Sequence, residues 1–113
     1  MALECIGKKY DEILTGKAQR YAPDVKVYHC DKIFLKKDTA ERDVTSFIKG
    51  IYRPKLREIW LSPYADESTI KHEIAHAIIH CKNPELYEEA KSNIEIAFLI
   101  EQRARSLERK IEL

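Results

Sequence analysis

The run Thr69-Ile70-Lys71-His72-Glu73-Ile74-Ala75-His76-Ala77-Ile78-Ile79-His80 constrains this chain more than any other, because it sets H-E-x-x-H inside a segment with helical spacing. On a helix, residues four apart lie one above the other, about 5.4 Å along the axis. His72 and His76 therefore present two imidazoles to one side, in reach of a single metal ion. Ile70, Ile74, Ala77 and Ile78 recur on the opposite face and are expected to bury against a core. With His at 4 of 113 positions, an accidental match of this kind has odds of about one per cent.

The residue types fit hydrolytic metal chemistry. Neutral imidazole is a good Zn2+ ligand, and a catalytic zinc keeps three protein ligands with the fourth position open. Glu73 follows the first histidine directly, so it stands at the rim of the same face, close to the reacting centre but outside the ligand set. It is the expected general base, and later the acid that protonates a leaving amine.

Two histidines do not complete such a site. Lys82-Asn83-Pro84 breaks the motif helix, and Pro84 with Glu85, Glu88 and Glu89 opens a second helix. A short break predicts an antiparallel pair of helices. Counting outward from Lys82-Asn83, His76 falls level with Glu89 and His72 with Asn93. Glu89 is thus the expected third ligand and Asn93 the expected hydrogen-bond partner of His72. Glu95 competes for the ligand role, and Glu88 competes more weakly. His80 continues the series, yet three successive turns span about 12 Å and cannot share one tetrahedral centre. It is read as an outer partner or a helix-end cation. His29 and Cys81 are weaker metal candidates.

Length and composition bound the rest. At 113 residues the chain is read as one domain, 1–113, with a single core. A hydrophobic fraction of 44% and a charged fraction of 35% suit a globular protein. Twenty basic and nineteen acidic residues leave a net charge of +1, which argues against a nucleic-acid partner. No apolar run is long enough for a membrane span, and the N-terminus has no basic start before an apolar block, so a cytoplasmic protein is expected. Cys5, Cys30 and Cys81 are odd in number and far apart, and are read as reduced thiols.

Along the chain, Leu3, Ile6, Tyr10, Ile13 and Leu14 predict a helix from Leu3 to about Ala18. Val25 to His29 alternates as a strand does, and Asp31 to Thr45 reads as a loop. Ser46–Tyr52 and Leu56–Leu61 form a hairpin around Arg53-Pro54-Lys55, with Gly50 marking a bulge or a close backbone approach. Asp66 or Ser68 caps the motif helix, which runs to about Cys81. A long helix from Pro84 carries close to the C-terminus. The expected fold class is α+β with a small sheet of three strands.

Glu58-Ile59-Trp60-Leu61-Ser62-Pro63, the motif run 69–80 and Glu89-Ala90-Lys91-Ser92-Asn93 together resemble a gluzincin metallopeptidase. The match covers roughly Phe47 to Phe98. It is similar to the ImmA/IrrE peptidases, and its glutamate-helix pattern resembles that of CAAX-processing membrane proteases. Lys91-Ser92 departs from the usual residues before the Asn. The small size resembles the minigluzincins, soluble minimal scaffolds known as latent zymogens. The resemblance implies a zincin-like fold and zinc-dependent peptide hydrolysis. It also implies an extended peptide or protein substrate added along the strand at Ile59 to Leu61, and a cleft blocked by a segment such as Arg103 to Leu113. The rival reading from the residues is a zinc-stapled regulatory or protein-binding module without turnover.

Overall fold

The computed structural model describes residues 2–113, and a glycine decides how its N-terminal part is built. Gly7 has a φ of 69°, and a Cβ there would meet Asp31 Oδ2 at 2.0 Å, so the chain turns at the one residue type that fits. The helix expected from Leu3 to Ala18 is therefore split into β1 (Ala2–Ile6), β2 (Lys9–Tyr10) and α1 (Glu12–Gln19). Cross-strand pairing overrides the helical spacing, since Leu3 lies opposite Leu35 and Cys5 opposite Ile33. Asp11 caps α1 by accepting from Leu14 N, and buried Thr15 accepts from Val27 N.

After β3 (Lys26–His29), the segment expected as a loop is a hairpin of β4 (Lys32–Lys37) and β5 (Ala40–Asp43). Its two-residue turn places Asp38 at a φ of 55°, a conformation that aspartate tolerates. Asp38-Thr39 lacks the glycine that marks such turns in a sequence. β1, β4 and β5 form a three-stranded sheet in the order β1-β4-β5, and the β5 edge is exposed and charged.

The second sheet joins β2 and β3 to β6 (Gly50–Arg53) and β7 (Glu58–Leu61) in the order β2-β3-β7-β6. The expected hairpin is present as β6 and β7, although residues 46–49 lie outside the strand. Alternation divides the sheet's two faces. Val27, Ile59 and Leu61 are fully buried toward the helices, whereas Trp60 packs with Ile33, Cys30 and Val44 beneath the three-stranded sheet. β7 is interior and β6 is an edge.

The motif helix α2 (Glu67–Lys82) starts at Asp66, whose side chain accepts from Thr69 N in a capping box. Ile74, Ala77 and Ile78 are buried and Ile70 packs against them, as the spacing predicts. The single long second helix is instead two, α3 (Pro84–Ala90) and α4 (Ile94–Glu108). α3 closes at Lys91, and Asn93 begins α4, its side chain accepting from Glu95 N and Ile96 N. Beyond α4, Ile111 is buried and Glu112 N donates to the Tyr21 hydroxyl at 3.0 Å. Among the described residues the fold is thus α+β, with four helices and two sheets in place of one three-stranded sheet. No helix there is long and apolar enough to cross a membrane.

Cys5 and Cys30 form a disulfide, which corrects the reading of reduced thiols. Cys30 directly follows β3, so the bond ties the two sheets together. Cys81 is free and exposed. Replacing both paired cysteines with alanine is expected to cost about 2–4 kcal/mol in urea denaturation. A reductant should lower the melting temperature of the parent and leave that of the double variant unchanged.

A second test concerns Asp11, whose carboxylate also lies 2.7 Å from His29 Nε2. Burial pushes its pKa up, but the Leu14 amide and His29 outweigh burial and hold it below the usual carboxylate value. The stability this provides is present above the unfolded pKa of about 3.9 and is lost as pH falls through the folded value. Asp11→Asn keeps a capping oxygen and should flatten the acid limb of the urea midpoint measured against pH.

Candidate metal centre

α2 turns His72 and His76 away from its buried isoleucines, and α4 passes across that face with Glu101 between them. Glu101 Oε1 lies 2.7 Å from His72 Nε2, and Oε2 lies 3.0 Å from His76 Nε2. The ligand atoms of these three residues all fall within 4.8 Å of one another, and the group could hold a metal ion. The imidazoles meet edge to face at 82°, their centroids 4.8 Å apart.

The other nitrogen of each ring has its own partner. Tyr87 Oη donates to the His76 carbonyl at 3.0 Å and lies 2.8 Å from His76 Nδ1. Its one proton is committed to the carbonyl, so Nδ1 is assigned as the N–H that donates to the hydroxyl. His72 has a carboxylate at each nitrogen, with Glu108 Oε1 3.3 Å from Nδ1 and Glu101 Oε1 2.7 Å from Nε2. The Nε2 atoms of both rings thus face the one carboxylate of Glu101. Donors set this close need a cation among them, and two imidazoles with one carboxylate fit a divalent metal.

A proton partly meets the same demand. Burial pulls the His72 pKa down, but Glu101, Glu73 and Glu108 raise it above its ordinary value. His76 is held below the ordinary value by burial. Burial pushes Glu101 up, and the two imidazoles more than offset it, leaving its carboxyl below the usual range.

Glu73 is buried beside this group with 8% of its surface exposed. Burial, opposed by His72 and the Tyr52 backbone and reinforced by Glu101 and Glu108, pushes its pKa up to about 7. Gly50 makes the expected close backbone approach. A Cβ there would lie 2.7 Å from Thr69 Cγ2 and 3.4 Å from Glu73 Cγ. A cleft of about 570 Å3 opens over the site, with residues 47–51 on one wall, α4 on the other, and His72 and Glu73 beneath. The rim is the free edge at β6, because β7, where Ile59 to Leu61 lie, is paired on both sides.

Of the residues singled out in the sequence, His72, His76 and Glu73 are brought together. Glu89 is not: it is exposed on α3, and Glu95 is exposed in the first turn of α4. Glu88 pairs with Lys91 at 3.1 Å. The level count fails for Glu89 because α3 turns Leu86, Tyr87 and Ala90 inward, with Tyr87 meeting His76, and it fails beyond α3 because the chain re-caps at Asn93. Asn93 holds the start of α4 rather than His72, and Glu108 takes the His72 contact. His80 is buried and lies 2.7 Å from the Tyr52 hydroxyl, and His29 pairs with Asp11. Glu101, Glu108 and Tyr87 were missed. Reading Asn93 as an N-cap, two residues before Glu95, places Glu101 and Glu108 seven apart on one face of a new helix.

Residues 109–113 do not line the cleft, and α4 contributes to it with Glu101, Arg105 and Glu108. No protein-family model, curated protein or solved structure matches the chain.

Metal titration separates these assignments. Glu101→Ala should lose the single divalent ion bound by the parent, as read by calorimetry or elemental analysis, while Glu89→Ala and Glu95→Ala should retain it. Equal metal content in all four proteins would reject the cluster as a metal site.

Proposed function

We propose that this protein is a zinc-dependent peptidase of the gluzincin type, with a zincin-like fold and zinc held by His72, His76 and Glu101. The observation that carries this reading is the open side of the donor set. A structural zinc is closed off by four protein ligands, whereas here three donors converge, among the described residues, at the floor of a cleft.

Zinc bound there would supply a Lewis acid for the scissile carbonyl and lower the pKa of the attacking water. Glu73 takes the proton from that water and delivers it to the nitrogen of the departing amine. Glu108 and Tyr87 hold the two imidazoles with Nε2 turned inward, so the ligand geometry is set before substrate arrives. The β6 edge pairs with an extended peptide through its main chain, which gives affinity with little dependence on side chains. Gly50 lets that strand approach Glu73, so the proton carrier and the peptide backbone meet at one level. The C-terminal block is left out of the proposal, because Ile111 and Glu112 pack against the core and Tyr21.

Glu73→Gln tests the reading against a zinc-stapled binding module. It should retain zinc and melting temperature while losing about 10²–10⁴-fold in the cleavage of casein or a mixed peptide library. A variant that binds zinc and cleaves as fast as the parent would remove Glu73 from the mechanism. A parent that binds zinc without cleaving any peptide would favour the module.

A further inference from the structure

A second cavity, of about 620 Å3, lies on the other side of Tyr87 from the two imidazoles, and the proposed reaction makes no use of it. Its walls are the β6–β7 turn and the corner between α2 and α3. Arg53, Lys55, Arg57 and Lys91 line it against one acid, Glu88, both of whose oxygens are already held by Lys91 Nζ at 3.2 and 3.1 Å. Three of the four cations come from five consecutive residues, Arg53-Pro54-Lys55-Leu56-Arg57. Their protein partners are few. Arg57 Nη1 lies 3.6 Å from the exposed Asp24 carboxylate, the Arg53 guanidinium sits 5.1 Å over the Trp60 ring, and Lys55 makes no ion pair among the described residues.

Two further observations point to a ligand. Arg57 has a φ of 54°, the left-handed region where glycine or asparagine is usual, so a long cationic side chain is kept there against a conformational cost. Its backbone is fixed as well, with Arg57 N donating to Pro54 O and Lys26 N to Arg57 O. At the base of the cavity, His80 Nδ1 is taken by the Tyr52 hydroxyl, and its Nε2 makes no hydrogen bond among the described residues. The Tyr52 hydroxyl has no other acceptor among the described residues, so its proton is assigned to Nδ1, which makes Nε2 a free N–H donor.

We infer that this cavity binds a small phosphorylated molecule, with the phosphate taken by Arg57 and Lys55 and the His80 Nε2–H at its base. A guanidinium fork matches phosphate oxygens in pairs, and ammonium and imidazole donors complete the set. The compact, concave cluster of cations favours a small molecule over nucleic acid. Its volume suits a metabolite-sized ligand, and a net charge of +1 leaves no basic stripe for a polymer to follow. The inference is independent of peptide hydrolysis.

Trp60, the chain's single tryptophan, lies under Arg53 and serves as the reporter. The full-length protein is titrated at low ionic strength with inorganic phosphate and with ribose 5-phosphate, following Trp60 fluorescence and heat by calorimetry. Saturable binding of at least one is expected, and tighter binding of the sugar phosphate would identify the organic ligand as the occupant. Arg57→Gly is the decisive variant. Glycine adopts the left-handed turn without cost, so the fold should be retained while phosphate affinity falls about tenfold or more. Lys55→Gln should weaken binding several-fold, and Lys9→Gln, on the far edge of the sheet, should leave it unchanged. The inference is overturned by no saturable signal from either probe up to about 10 mM. Unchanged binding in both Arg57→Gly and Lys55→Gln, or a single-stranded oligonucleotide that outcompetes both probes, overturns it equally.

Discussion

The carboxylate of Glu101, lodged between two Nε2 atoms, is the contact on which the site depends. Without it α2 carries two imidazoles on a polar face, an arrangement any helix could present. With it, α2 and α4 are tied at a fixed height, because one rigid carboxylate reaches His72 at 2.7 Å and His76 at 3.0 Å. The two helices pass in opposite senses, since Glu108, two turns on, reaches His72 alone. Apolar packing supplies the remaining constraint. Ile74 and Ala104 are fully buried where the helices meet the core, so neither helix can rotate without exposing them.

The site concentrates negative charge. Glu73, Glu101 and Glu108 surround two histidines, and the pKa of Glu73 is raised mainly by burial, with Glu101 and Glu108 adding to it. Carboxylates left this close in a partly buried setting would repel one another unless protons or a cation sit among them. The neighbourhood therefore suits a positive guest, and Glu108 and Tyr87, at the Nδ1 atoms of His72 and His76, leave both Nε2 atoms turned toward Glu101.

What the sequence disclosed follows from how local each feature is. The motif helix, its Asp66 cap and its buried isoleucines depend on residues within a few positions of one another, and all were legible. The β6–β7 hairpin was legible for the same reason, as was the close approach at Gly50. Features needing distant partners were not. The N-terminal strand is set by pairing with β4 some thirty residues away, and Cys5 meets Cys30 only because the two sheets bring them together. β4 and β5 were hidden by a turn built on Asp38, whose left-handed backbone carries no glycine to announce it. The third ligand was misplaced because the second helix was read as continuous through Lys91-Ser92-Asn93, whereas a new helix starts there and delivers Glu101.

That break is also what makes the site possible. Tyr87 and Glu108 are 21 positions apart, and on one straight helix they would stand about 30 Å from each other. Yet they contact two imidazoles whose centroids are 4.8 Å apart. No unbroken helix can hold the outer nitrogens of both rings. The chain must end α3 soon after Tyr87, turn at Lys91-Ser92-Asn93, and send α4 back past α2 so that Glu101 and Glu108 arrive from the other direction. Asn93, expected to orient a histidine by direct contact, does so at a distance: by capping α4 it sets the register that delivers both glutamates.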